Sequence, residues 1–157
     1  MTEAPIEDPA ELTRHIEIRY HARHRAQLPE LLQLAEKVET INFGEIGVPG
    51  GLADVLERMI GEMEVHMKKE ELMLFPAIRK GGGPGIETPI AAMRADHDGH
   101  DRMIAAIRAL TGDLALPEGA CGCWADLYDG LGRFLADLEE HIRLENEVLF
   151  PQFEPQY

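Results

Sequence analysis

An eleven-residue pattern occurs twice in this chain, at 66–76 and at 141–151, and both copies read His-x3-Glu-x3-Leu-Phe-Pro. The first carries His66, Glu70, Leu74, Phe75 and Pro76; the second carries His141, Glu145, Leu149, Phe150 and Pro151. A spacing of four residues puts the His and the Glu on one face of a helix, one turn apart, where the helix offers a nitrogen and an oxygen to a single metal ion. The repeat is wider than these segments. His21-x2-His24 lies 45 positions before His66, and His97-x2-His100 lies 44 positions before His141. An acid also stands four residues before each later His, Glu62 in one half and Asp137 in the other. Two copies at so long a period do not make a solenoid, so a duplicated helix pair is the physical reading.

Four amphipathic stretches separated by three breaker-rich loops carry this duplication, and almost none of the chain alternates with the period of two that strands require. The expected fold is therefore all-α, an up-down-up-down four-helix bundle with a di-metal site in its core. The whole of 1–157 is expected to form one domain of two duplicated hairpins, about 9–80 and 88–151. The first helix should run from Pro9 to Ile41 with a kink at Pro29, since proline removes a backbone donor and crowds the preceding turn. The second begins after Val48-Pro49-Gly50-Gly51 and ends near Pro76. Gly81-Gly82-Gly83-Pro84-Gly85 marks the joint between halves. The third helix should follow Thr88-Pro89, with Thr88 as the cap, and the fourth should run from Cys121 to Phe150.

Charge and cysteine content narrow the functional classes. The formal net charge of -14 comes from 29 acids against 15 Lys and Arg, and it repels nucleic acid and anionic membranes. Lys68-Lys69 is answered at once by Glu70-Glu71, and Arg14, Arg19, Arg23 and Arg25 are spread along one helix. No apolar run approaches a membrane span, and the acidic N-terminal residues lack the apolar core of a secretion signal. The only cysteines, Cys121 and Cys123, form no disulfide framework, which fits a reducing cytoplasm. They are expected as thiols packed near Trp124, with the start of a helix as a possible source of reactivity.

In a bundle of alternating direction, metal-binding residues converge when they lie at similar heights. The chain between His21 and Pro49, and between His97 and Gly119, suffices to finish one helix and return. The candidate ligands are then His21, His66 and Glu70 from one hairpin and His97, His141 and Glu145 from the other. Four imidazoles can cap two metal ions while Glu70 and Glu145 bridge them. Imidazole with carboxylate suits iron, manganese or zinc, and the paired carboxylates favour iron. His24 and His100, one turn beyond His21 and His97, are expected in outer hydrogen bonds or on the helix surface rather than on metal. His15 is expected at the surface. Glu62 and Asp137 are candidates for lining a path into the site. The methionines Met59, Met63, Met67, Met73, Met93 and Met103 read as bundle core and edge.

These segments resemble hemerythrin-like di-iron domains, and most closely the di-iron proteins of iron–sulfur cluster repair. The likeness is carried by 19–31 (Arg19-Tyr20-His21, His24-Arg25, Leu28-Pro29-Glu30-Leu31), by the two eleven-residue copies, and by Pro89-Ile90, Met93 and His97-Asp98. The resemblance implies His21, His66, His97 and His141 as terminal ligands of two non-haem irons. Glu70 and Glu145 would be carboxylate bridges, with an oxo bridge allowed. It further implies repair of clusters damaged by oxidative or nitrosative stress, by iron donation or storage, with iron–sulfur proteins as clients. Reversible binding or sensing of O2 or NO is the alternative, as is NO reduction or peroxidase chemistry; a non-catalytic metal-handling role is favoured over an enzyme. The chain departs from that family at Asn42, where members often have a further His, and at Asp96, where a Glu commonly precedes the third-helix His. It also shows no N-terminal segment with adjacent cysteines, and Asp101 stands where oxygen carriers place a His.

Overall fold

The computed structural model describes residues 7–155; the first six residues of the acidic lead-in and the last two residues lie outside the described part. Among the described residues there is no strand, and four long helical runs account for almost everything. We number them α1 (9–41), α2 (52–79), α3 (Glu87–Leu110) and α4 (122–153).

Each helix buries one stripe, and each stripe has the same three parts, two apolar segments with a polar one between them. On α1, Leu12 and Ile16 belong to one apolar cluster, His21 and His24 follow, and Leu28, Leu31, Ala35 and Val38 belong to a second cluster. On α2 the order is reversed: Leu52 to Met67 in the second cluster, then Glu70, then Leu74, Phe75 and Ile78 in the first. α3 repeats the order of α1 and α4 that of α2. Helices that alternate in this way must alternate in direction, which is the expected up-down-up-down bundle. The His and Glu side chains consequently form a polar layer between two oily ones. Burying an unpaired polar group costs several kcal/mol, so a layer of this kind persists only if its members satisfy one another or a bound ion.

Three of the four helices are not regular. α1 changes from α-helix (Pro9–His15) to π-helix (Ile16–His21) and back (Ala22–Ile41). α2 does the same over Leu52–Lys69, Glu70–Leu74 and Phe75–Arg79. α4 passes from Gly122–Arg143 to π-helix at Leu144–Leu149 and ends in a 3-10 turn, Phe150–Phe153. The N–H groups of Ala22, Phe75 and Phe150 donate to carbonyls five residues back, at Glu17, Glu70 and Glu145. Such π turns cluster at functional sites because the extra residue re-aims side chains. Pro76 and Pro151, with no N–H to place, directly follow these shifts. α1 runs on through Pro29, and its change of winding falls earlier, at 16–21.

The remaining boundaries fall close to expectation. α3 starts at Glu87 with Ile86 as its cap, not with Thr88 as cap, because the turn at 83–86 already winds into the helix. Cys121 caps α4 in an extended conformation. Because Leu56 is fully buried in the cluster remote from the π turns, Leu56→Ala is expected to lower stability by about 2–5 kcal/mol in urea unfolding.

Candidate metal centre

All four long helices contribute to the polar layer, and the side chains are aimed by the π turns of α1, α2 and α4 and by outer hydrogen bonds. His21, His66, Glu70, His97, His141 and Glu145 are all buried, Glu70 and Glu145 completely. They fall into two groups that could each hold one ion: His21, His141, Glu70 and Glu145 in the first pocket, and His66, His97, Glu70 and Glu145 in the second. The sequence counted two imidazoles from each hairpin and left open which of them share an ion. The fold pairs them across hairpins, α1 with α4 and α2 with α3.

The two carboxylates are common to both pockets. Glu70 lies with Oε1 at 3.0 Å from His21 Nε2 and Oε2 at 3.4 Å from His66 Nε2. Glu145 lies with Oε2 at 2.9 Å from His141 Nε2 and Oε1 at 2.7 Å from His97 Nε2. Each carboxylate thus sends one oxygen to each pocket.

The outer ring nitrogens fix which atom of each imidazole faces inward. His21 Nδ1 donates to Glu71 Oε2 at 2.7 Å, and His66 Nδ1 donates to Asp96 Oδ2 at 2.9 Å. His97 Nδ1 meets Asn146 Oδ1 at 2.7 Å, and His141 Nδ1 meets His24 Nε2 at 3.0 Å. Where Nδ1 donates outward to a carboxylate, as at His21 and His66, an imidazole in its neutral form presents a bare Nε2 lone pair to the inner carboxylates. Two acceptors at hydrogen-bond distance repel unless a proton or a cation lies between them. The second pocket displays this most plainly: His66 Nε2, His97 Nε2, Glu70 Oε2 and Glu145 Oε1 are all buried without a hydrogen-bond partner. A buried donor set of two imidazoles and two carboxylates, aimed at a shared point, fits a metal ion.

The surroundings explain the rest of the repeated motif. Phe75 stacks on His21 with centroids 5.8 Å apart, and Phe150 stacks on His97 at 5.9 Å. The Phe of each copy therefore covers an imidazole, and both are fully buried. Tyr20 stacks on His141 at 5.7 Å. Glu71 is held in turn by Arg25, which also grips Glu64 with bonds of 2.9 Å. Glu64 and Glu71 keep the Arg25 guanidinium more strongly protonated than usual, and Arg25 holds Glu64 below the ordinary carboxylate range.

His24 and His100 are absent from both ion-binding groups. Both are buried, so surface placement is ruled out for them; burial and neighbouring imidazoles lower His24 to about 2 and His100 to about 3. His24 makes the outer hydrogen bond to His141, and the His100 ring packs edge-on against His66 at 4.9 Å. His15 is half-buried, its ring edge-on to Tyr20. Asp101 is exposed, and Asn42 is buried at the end of α1 beside Cys121; neither belongs to the pockets.

The acids in equivalent positions of the two halves have different fates. Asp137 receives Arg19 at 3.2 Å, Arg23 at 3.0 Å and Gln27 at 3.0 Å, which closes its side of the bundle. Glu62 is exposed and lines a cleft of about 850 Å³ between α2 and α3, together with Glu57, Lys69, Asp96 and His100. Since Asp96 also accepts from His66, the cleft reaches to one hydrogen bond from the second pocket.

The match of residues 13–153 to the hemerythrin HHE cation-binding domain agrees with this geometry. The chain belongs to the hemerythrin family. Its hemerythrin relatives include the iron-sulfur cluster repair protein YtfE of Pectobacterium carotovorum subsp. carotovorum (strain PC1), 44% identical over 150 residues, which are 96% of this chain and 66% of the relative. The protein of the same description from Dickeya chrysanthemi (strain Ech1591) is 45% identical over 142 residues, 90% of this chain and 64% of the relative. That from Yersinia pseudotuberculosis serotype O:3 (strain YPIII) is 46% identical over 134 residues, 85% of this chain and 61% of the relative. The chain thus spans a little under two thirds of the length of these hemerythrin relatives. Among the described residues, no helix is long and apolar enough to cross a membrane.

What the sequence missed are the outer partners Glu71, Asn146 and Arg25, and the stacking of Tyr20. The residue after each Glu of the motif, Glu71 or Asn146, holds the imidazole that begins its hairpin, so its position in the repeat was the available clue. Glu71→Ala should weaken cation affinity about 10–100-fold in a chelator competition, whereas exposed Glu62→Ala should leave it unchanged. Burial and the charge of Glu145 raise the Glu70 carboxyl well above its ordinary range. An arriving cation must displace the proton that this favours, so affinity should rise with pH through that raised range. Cation uptake in weakly buffered solution is expected to acidify it, which a pH indicator will read.

Proposed function

We propose that this protein holds two non-haem irons in the paired pockets and releases iron for the repair of iron–sulfur clusters damaged by oxidative or nitrosative stress. His21 and His141 serve one iron, His66 and His97 the other, and Glu70 and Glu145 bridge them. The observation that carries this reading is the division of each buried carboxylate between both pockets, one oxygen apiece. Imidazole and carboxylate donors without thiolate suit iron, in keeping with relatives described as iron–sulfur cluster repair proteins.

Lability follows from the same donors, because a bridging carboxylate can turn to serve one ion while the other departs. The cleft beside the second pocket supplies the way out, and Glu62 and Asp96 on its walls offer carboxylates to a cation in transit. Asp137 is unavailable for that task, held by three donors. The clients are iron–sulfur proteins of the cytoplasm, and O2 or NO are the small ligands of the same pair of irons.

The test is transfer. Full-length protein loaded with ferrous iron, mixed with an apo-ferredoxin, sulfide and reductant, should restore the cluster absorbance of the acceptor. Glu70→Gln and Glu145→Gln should each lose both irons in metal analysis and transfer none. A loaded protein that forms a stable oxygenated spectrum on aeration and restores no cluster would replace donation with gas binding.

A further inference from the structure

At the far end of α4 from the cation pockets, Cys121 and Cys123 bring their Sγ atoms within 2.7 Å of each other, both as free thiols and both half-buried. Cys121 is the cap of α4 in an extended conformation, and Cys123 lies in the first turn of that helix. Gly122 between them has no side chain, and a Cβ there would meet nothing within 4 Å. Neither sulfur takes part in the polar layer. Cys121 precedes His141 by 20 residues, which is about 30 Å along a helix.

The surroundings bias the two thiols differently. Asn42, buried at the end of α1, directs its Nδ2 to Cys121 Sγ at 3.7 Å while it also donates to Val38 O. The bond from Cys123, then the backbone of Trp124, lower Cys121 from the ordinary thiol range, and the same contact with Cys121 raises Cys123. Cys121 is thus the more readily ionised thiol of the pair. Near the pair, the loops after α1 and α3 form an open pocket of about 400 Å³ lined by Ile46, Pro117, Glu118, Ala120 and Trp124.

We propose that Cys121 and Cys123 form a redox-active dithiol that closes reversibly to an intramolecular disulfide by exchange with a low-molecular-weight disulfide. In the first step the Cys121 thiolate attacks one sulfur of the small disulfide, forming a mixed disulfide and expelling one small thiolate. In the second step Cys123 gives up its proton and attacks the Cys121 sulfur, forming the intramolecular bond and expelling the second small thiolate. Two electrons pass from the protein dithiol to the small disulfide, whose halves leave as thiols carrying the two protons. Attack by the lower-pKa thiol and resolution by its neighbour is the ordinary course of such exchange. The product joins residues only two apart at the protein surface, the kind of bond that small thiols reopen readily.

Full-length protein is treated with oxidised glutathione, trapped with an alkylating agent and weighed by mass spectrometry. The wild type should lose two hydrogens and both alkylation sites together, and reduced glutathione should restore them. Cys123→Ser should stop at a single glutathionyl adduct, and Cys121→Ser should react at least about tenfold more slowly. Two glutathionyl groups on the wild type, two thiols alkylated independently, or a Cys121→Ser rate equal to that of wild type would overturn the proposal. The wild-type mass change needs no variant to fold, and because the thiols are remote from the pockets its outcome is independent of cation stoichiometry.

Discussion

Two carboxylates buried without exposure in the middle of a helical bundle set the terms for the rest of this molecule. Glu70 and Glu145 share their pockets with four imidazoles, and among the described residues no Lys or Arg is buried. Uncompensated charge at such depth is among the most destabilising features a core can carry, and pairing or metal coordination is the usual relief. The repeat meets this demand twice over, placing each Glu one helical turn from a His and covering the opposing imidazole with the Phe of the same motif. The apolar clusters on either side then exclude water from the ends of the layer.

Most of the architecture was legible because it rests on periodicity. Spacings of four residues, breaker clusters and the duplication were enough to place the four helices, their alternation and the six candidate ligands. The six are brought together, and the fold settles what the spacing left open by pairing the imidazoles across the hairpins. Which helices sit diagonally is decided by side-chain packing across the whole bundle, and a local spacing does not encode it.

The π turns were hidden for a related reason. Hydrophobic periodicity in a short window tolerates one extra residue, and the trace the π turns left was Pro six residues after each Glu, at Pro76 and Pro151. Outer hydrogen bonds were hidden too, because Glu71, Asn146 and Asp96 look like ordinary surface acids and amides until the fold sets them against an imidazole. The duplicated sequence also implied equal halves. The structure departs from that symmetry where cationic side chains of α1 seize Asp137 and leave Glu62 beside open solvent.

A π turn is, in effect, one surplus residue folded into an α-helix, and each residue advances a helix by about 100°. In α2 the surplus falls at Glu70–Leu74, ahead of the segment Phe75–Arg79 that carries Phe75 and Ile78 into the apolar cluster. Those two positions therefore owe their inward facing to the length of the chain before them as much as to their own chemistry. Here the helix works as a phased shaft, in which dropping a single residue upstream would swing the ring of Phe75 away from His21 while leaving every later amino acid unchanged.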